Sequence, residues 1–204
     1  SVCGIGGSLP ACGGYLLGSI PFGLVLTRLA GMGDIRKIGS GNIGATNVLR
    51  TGNKPLAFAV LVLDSGKGAI AVLVARALLP DLPLAAVLAG TLAVLGHNFP
   101  VWLKFKGGKG MATSLGTLTA LIWPVGLAAC GTWLVVAAGF GVSSIVRVLV
   151  RARGPCGAVV RLLPGPAPLM QAAAAVLAVV GWVRHSTNIR RLLRGEEPKI
   201  GQKK

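Results

Sequence analysis

PLAFAVLVLDSGKGAIAVLVARALLP, residues 55–80, is the stretch that decides the fold. It is apolar over more than the about 20 residues that a helix needs to cross a bilayer. Polar and apolar residues do not alternate along it, which argues against a β-barrel strand. Asp64 and Lys67 stand inside the run, three residues apart and so on one helix face. Ionisable residues in a span are costly, and they either pair or serve function. A structural ion pair and a catalytic role are both open for them.

The flanking sequence repeats the pattern. Apolar runs cover residues 11–30, 83–103, 111–140 and 169–183. Pro21 kinks the first, and Gly18 and Gly23 allow close helix approach. Trp123-Pro124 interrupts 111–140, which is either one long kinked span or two short ones. Of 204 residues, 53% are hydrophobic and 13% charged, against about 25% charged in soluble domains. Mean hydropathy is +0.74. The expected fold is an all-α transmembrane bundle of about six to seven spans, some short or broken. Residues 1–204 form one domain in this reading.

The formal charge is +16, from 21 basic and 5 acidic residues. The basic residues gather in loops and in the tail, as the positive-inside rule requires, so a nucleic-acid partner is not expected. Arg28, Arg36, Lys37, Arg50 and Lys54 make the first loop cytoplasmic, and Lys104, Lys106 and Lys109 do the same for the second. Arg184, Arg190, Arg191 and Arg194 mark a cytoplasmic C-terminus, while PDLPL at 80–84 faces out. The N-terminus is then outside. Residues 1–14 lack a basic n-region, so no cleavable signal peptide is expected. Cys3, Cys12, Cys130 and Cys156 match no metal or redox spacing. With 5 carboxylates in the chain, no metal site is expected, and no cofactor motif is found.

Residues 145–168 do not fit. They read IVRVLVRARGPCGAVVRLLPGPAP, with four arginines and four prolines where an outgoing span belongs. An Arg at the bilayer centre costs about 2.5–3.5 kcal/mol on insertion scales. A shifted GC-rich reading frame yields such a composition. A local frame disturbance is therefore expected there, with residues 1–14 similarly atypical. The coding DNA tests this through a compensating pair of indels.

Three polar motifs share the cytoplasmic side. GSGNIGATN, residues 39–47, packs glycines, Ser40, Asn42, Thr46 and Asn47 beside Lys37 and Arg50. No β-strand precedes it and no GK[ST] follows, so neither a dinucleotide fingerprint nor a Walker loop fits. A helix opening near 44–46 would aim its N–H groups at an anion. The second motif, GHNFPVWLKFKGGKGMAT at 96–113, sets Lys109 among Gly107, Gly108 and Gly110. Glycines allow close backbone approach, and the lysine supplies a charge for phosphate. His97 and Asn98 end a span in that motif. The third, RHSTNIRRLLRGEEPKIG at 184–201, places His185 and Asn188 three apart at the exit of the last span.

YLLGSIPFG, GDIRKIGSGNIGATNVLRTG, LDSGKG and the second and third motifs occur in this order. The chain closely resembles the bacterial PlsY family of membrane acyl-phosphate:glycerol-3-phosphate acyltransferases, over about residues 15–140 and 176–201. The resemblance implies acyl transfer from acyl phosphate to the 1-hydroxyl of glycerol 3-phosphate, giving lysophosphatidic acid and phosphate for phospholipid synthesis. It implies a multi-pass protein of the bacterial inner membrane, with membrane lipid as partner. Carried over, the catalytic residues are Arg50, Lys109, His185 and Asn188. Ser40, Gly41, Asn42, Gly44, Thr46, Asn47, Lys67, His97, Asn98, Gly107 and Gly108 bind substrates. Ser143 and Ser144 stand for a family serine segment after the fifth helix. Either the substrate phosphate or a histidine, His185 or His97, takes the hydroxyl proton. A small phosphate or organic-anion transporter is the alternative. It would place its site near the midplane, and no inverted repeat is visible.

Overall fold

The structure, a computed structural model, describes residues 2–140 and 167–196. Ser143, Ser144 and the atypical run up to residue 166 lie outside the described residues. The described residues are helical and contain no strand. The helices are α1 Val2–Gly18, α2 Phe22–Leu29, α3 Ala45–Leu49, α4 Lys54–Leu78 and α5 Pro83–Asn98. They continue with α6 Met111–Leu121, α7 Trp123–Phe140, α8 Ala167–Arg184 and α9 Ser186–Leu193. Short 3-10 turns cover Ile35–Lys37 and Val101–Leu103. Three helical runs are long and apolar enough to cross a membrane: Ser8–Leu29, Lys54–Leu78 and Pro83–Leu103. Met111–Leu121, Trp123–Val135 and Ala175–Arg184 are shorter apolar helices.

The run that decided the fold is α4. The Asn53 side chain accepts the Leu56 N–H at 3.0 Å and caps it, with Pro55 in the first turn. Its 25 residues extend about 37 Å, more than the hydrocarbon core. α5 is the hub. Ala85, Ala86, Ala89, Gly90, Ala93 and Gly96 are buried in it. A Cβ on Gly14 or Gly18 of α1 would overlap the backbone of Ala89 or Ala93. Small residues four apart on both helices thus let the backbones touch.

Pro21 does more than bend the first span. The helix stops at Gly18 and restarts at Phe22. The 111–140 region is two helices, not one. Gly126 of α7 lies against the Thr119 backbone of α6, so the chain turns sharply around Ile122.

Candidate active site

The first polar loop is built around Asn47, which is buried. Its amide nitrogen lies 3.0, 3.0 and 2.9 Å from the carbonyls of Ile35, Ile38 and Asn42. Its oxygen accepts the Ser40 N–H at 3.0 Å. Its polar atoms are thus spent on the shape of the loop. Gly39 and Gly41 turn the chain with φ of +56° and +69°. The Asn42 side chain accepts the Gly44 N–H at 3.2 Å. Gly44 caps α3, which opens at Ala45 inside the expected 44–46 window. Asp34 anchors the approach, accepting from the Arg36 guanidinium at 2.5 Å and from its N–H at 3.0 Å. The Arg36 hydrogen bonds hold the Asp34 carboxyl well below the usual carboxylate range.

The second glycine loop folds under the end of α5. Gly107 N–H donates to the Asn98 carbonyl at 3.2 Å and Gly108 N–H to the His97 carbonyl at 3.0 Å. A Cβ on Gly107 would overlap the His97 carbonyl, and one on Gly108 the imidazole of His97. Gly110, at φ +74°, caps α6 and lies against the Asn98 side chain. Arg184, at the end of α8, donates to the Gly108 and Gly107 carbonyls at 3.0 and 2.5 Å and stacks 5.3 Å from the centre of the Phe99 ring. That clamp ties the last long helix to the loop carrying Lys109. Lys109 in turn donates to the Asn188 side-chain oxygen. His185 Nδ1 donates to the Gly181 carbonyl at 2.7 Å.

These segments enclose one cavity. Ser40, Asn42, Gly44, Thr46, Asn47 and Arg50 line it from the first loop and α3. His97 and Lys109 line a second wall, and His185, Asn188 and Arg191 a third. Leu61, Leu115 and Trp133 add an apolar side. The Nε of Arg50 is buried without a hydrogen-bond partner among the described residues, which favours binding of an anion. Asp64 is the carboxylate on the lining, and Lys67 balances it at 2.8 Å. The cavity is therefore cationic, with one apolar wall.

Gly41, Lys67, Asn98, Gly107 and Gly108 do not line the cavity. Gly41 shapes a turn, and Asn98 and the two glycines build the wall from behind. Lys67 is 2% exposed and spends its ammonium inside the protein. It forms an ion pair with Asp64 Oδ1 at 2.8 Å, an oxygen with no aligned hydrogen bond, donates to the Ile20 carbonyl at 2.9 Å and lies 2.9 Å from His97 Nδ1. Of the two roles open to Asp64 and Lys67, the geometry supplies the ion pair. Arg184 stands with His185 and Asn188 in the third motif at the exit of the last span, and Arg191 belongs to the basic tail; neither is among the residues expected at the site. Their position at the exit of the last span was the one available signal. Among the described residues no cluster of His, Cys, Asp and Glu could hold a metal ion.

A family model described as glycerol-3-phosphate acyltransferase matches residues 9–195. The chain is 63% identical over 200 residues to a glycerol-3-phosphate acyltransferase of Rhodospirillum rubrum, covering 95% of this chain and 91% of that one. It is 61% identical over 197 residues to that of Paramagnetospirillum magneticum, with 94% and 92% covered. The crystal structure of PlsY, an integral membrane glycerol 3-phosphate acyltransferase, in its glycerol 3-phosphate form matches with a TM-score of 0.85 at 34% identity, over 96% of both chains. Its lysophosphatidic acid form matches with a TM-score of 0.80 at 33% identity, over 95% and 94%. With most of its length matched in sequence and in fold, the chain belongs to the PlsY family of integral membrane glycerol-3-phosphate acyltransferases.

Proposed function

We propose that this chain transfers a fatty acyl group from acyl phosphate to the 1-hydroxyl of glycerol 3-phosphate. The hydroxyl oxygen bonds to the acyl carbonyl carbon, the carbon–oxygen bond to phosphate breaks, and the hydroxyl proton ends on the released phosphate. The products are lysophosphatidic acid and inorganic phosphate. Acyl phosphate is a mixed anhydride with a good leaving group, so holding the two reactants in line supplies much of the rate.

One observation carries the reading: cationic and amide-rich segments from three distant parts of the chain converge on a single cavity with an apolar wall. Two phosphates and one acyl chain match that lining. Ser40, Asn42, Gly44 and Thr46 with the amides at the start of α3 hold the acyl-phosphate phosphate. Arg50, Lys109, His185 and Asn188 hold glycerol 3-phosphate. The two similar crystal structures, in glycerol 3-phosphate and lysophosphatidic acid forms, correspond to the acceptor and the product of this reaction. The chain works as one catalytic unit in the bacterial inner membrane, its cavity on the cytoplasmic side, and its product leaves into lipid.

The donor is tested with purified protein in micelles and labelled glycerol 3-phosphate. Acyl phosphate should give lipid-extractable product, and acyl thioesters should not. Equal rates from thioesters would overturn the donor assignment. Uptake of glycerol 3-phosphate into liposomes without acylation would favour a transporter.

A further inference from the structure

The buried trio of Asp64, Lys67 and His97 has a proton arrangement that its geometry fixes. Asp64 and Lys67 are each 2% exposed, and His97 is 4% exposed. An ammonium has three N–H donors and no acceptor. Lys67 has two hydrogen-bond partners, the Ile20 carbonyl and His97 Nδ1, both at 2.9 Å, and an ion-pair contact with Asp64 Oδ1 at 2.8 Å that is not aligned as a hydrogen bond. A neutral amine would leave the Asp64 carboxylate buried without a counter-charge, which is strongly unfavourable. Lys67 is therefore the cation, and it faces His97 Nδ1 at 2.9 Å with an N–H to donate. That nitrogen must accept. The competing arrangement, an Nδ1–H donating to Asp64 Oδ1, would span 3.5 Å, beyond a good hydrogen bond. Lys67 already balances Asp64, so the imidazole stays neutral and carries its single proton on Nε2. That end of the ring lies against Gly108, and His97 is one of the residues lining the cavity.

We propose that Lys67, anchored by Asp64 and by the carbonyl at the Pro21 break, is a positioning residue that locks His97 as its Nε2–H tautomer, so that His97 offers the substrates a hydrogen-bond donor and not a base. The atom it serves is an anionic substrate oxygen, on a phosphate or on the carbonyl under attack. The donor role rests on the acyltransferase reading of the cavity; the tautomer does not. His185 provides an internal contrast. Its Nδ1–H is held by the Gly181 carbonyl, which puts the lone pair of the neutral ring on Nε2.

The chain has 2 histidines, so a long-range proton–nitrogen correlation spectrum of nitrogen-15 histidine-labelled protein reads both rings, and a His185→Asn spectrum assigns them. The expected result is opposite tautomers, His97 as Nε2–H and His185 as Nδ1–H. His97 found as Nδ1–H or as imidazolium at neutral pH would overturn the lock. Lys67→Met should release His97 into a mixture, and an unchanged His97 pattern in that variant would also overturn it. In the transfer assay, His97→Gln keeps an N–H near the Nε2 position but cannot act as a base. It should lose clearly less rate than His97→Ala, which should lose about a hundredfold or more, as when a preorganised donor is removed. Equal loss in both variants would refute the donor role. Adding inorganic phosphate separates the two oxygens: a shift of His97 Nε2–H places it on phosphate, and no shift places it on the carbonyl. The spectrum is read without substrate, so it judges the lock alone, and absence of any acyl transfer would count against the functional reading instead.

Discussion

Asp64→Asn keeps the shape of a buried side chain and removes its charge. Lys67 is then left as an ammonium at 2% exposure with neutral acceptors only. Breaking a buried pair by removing one partner costs about 3–5 kcal/mol. Against a total stability of about 5–15 kcal/mol, that is at least about a fifth of the margin. At about 2–4 °C per kcal/mol for a chain of this size, the unfolding midpoint should fall by about 6–20 °C. Lys67→Met should cost a comparable amount, because it strands the carboxylate. The double variant Asp64→Leu/Lys67→Met should be far less damaged than the sum, since replacing a buried pair by apolar residues is often neutral. The assay is thermal unfolding in one fixed micelle, followed by the fluorescence of Trp102, Trp123, Trp133 and Trp182. Single losses below about 1 kcal/mol, the size of an exposed pair, would refute the reasoning. So would a double variant that loses the full sum.

Arg50→Ala and Lys109→Ala should each lower acyl transfer by about ten- to a hundredfold, the worth of one charged hydrogen bond, while membrane insertion stays normal. Near-normal rates in both would remove them from the site. Gly18→Val should weaken the packing of α1 on α5, because a Cβ there overlaps the Ala93 backbone; an unchanged unfolding temperature would show that the helices do not approach so closely. Asp34 is gripped by the Arg36 hydrogen bonds, which lower its folded pKa. Its contribution to stability is then fully present above the unfolded value of about 4 and is lost as pH falls through the lower folded value. A carboxyl-carbon titration midpoint for Asp34 at or above the unfolded value would contradict this.

The spans were legible because length and apolarity are local properties. α4 could be read from 55–80 almost to its ends, and the α3 start from the Gly44-Ala45-Thr46 cluster, because capping is local too. The choice at Trp123-Pro124 was not legible, since a proline permits either a kink or a turn back. The trio around Lys67 lay further out of reach. Asp64 is a sequence neighbour, but Ile20 and His97 stand 47 and 30 positions away, and periodicity names a buried face without naming what meets it. For the same reason the contacts by which the Asn47 amide organises the loop were not legible, although the residue also lines the cavity. Arg184 stood in the third motif, but its clamp on the second glycine loop, 76 and 77 positions away, could not be read from it.

The central claim is that one cavity joins acyl phosphate to glycerol 3-phosphate. Its most direct test is phosphate release by purified protein supplied with acyl phosphate, with and without glycerol 3-phosphate. Release should depend on glycerol 3-phosphate and match lysophosphatidic acid formed mole for mole. Release at the same rate without glycerol 3-phosphate, or with no lysophosphatidic acid formed, would contradict it.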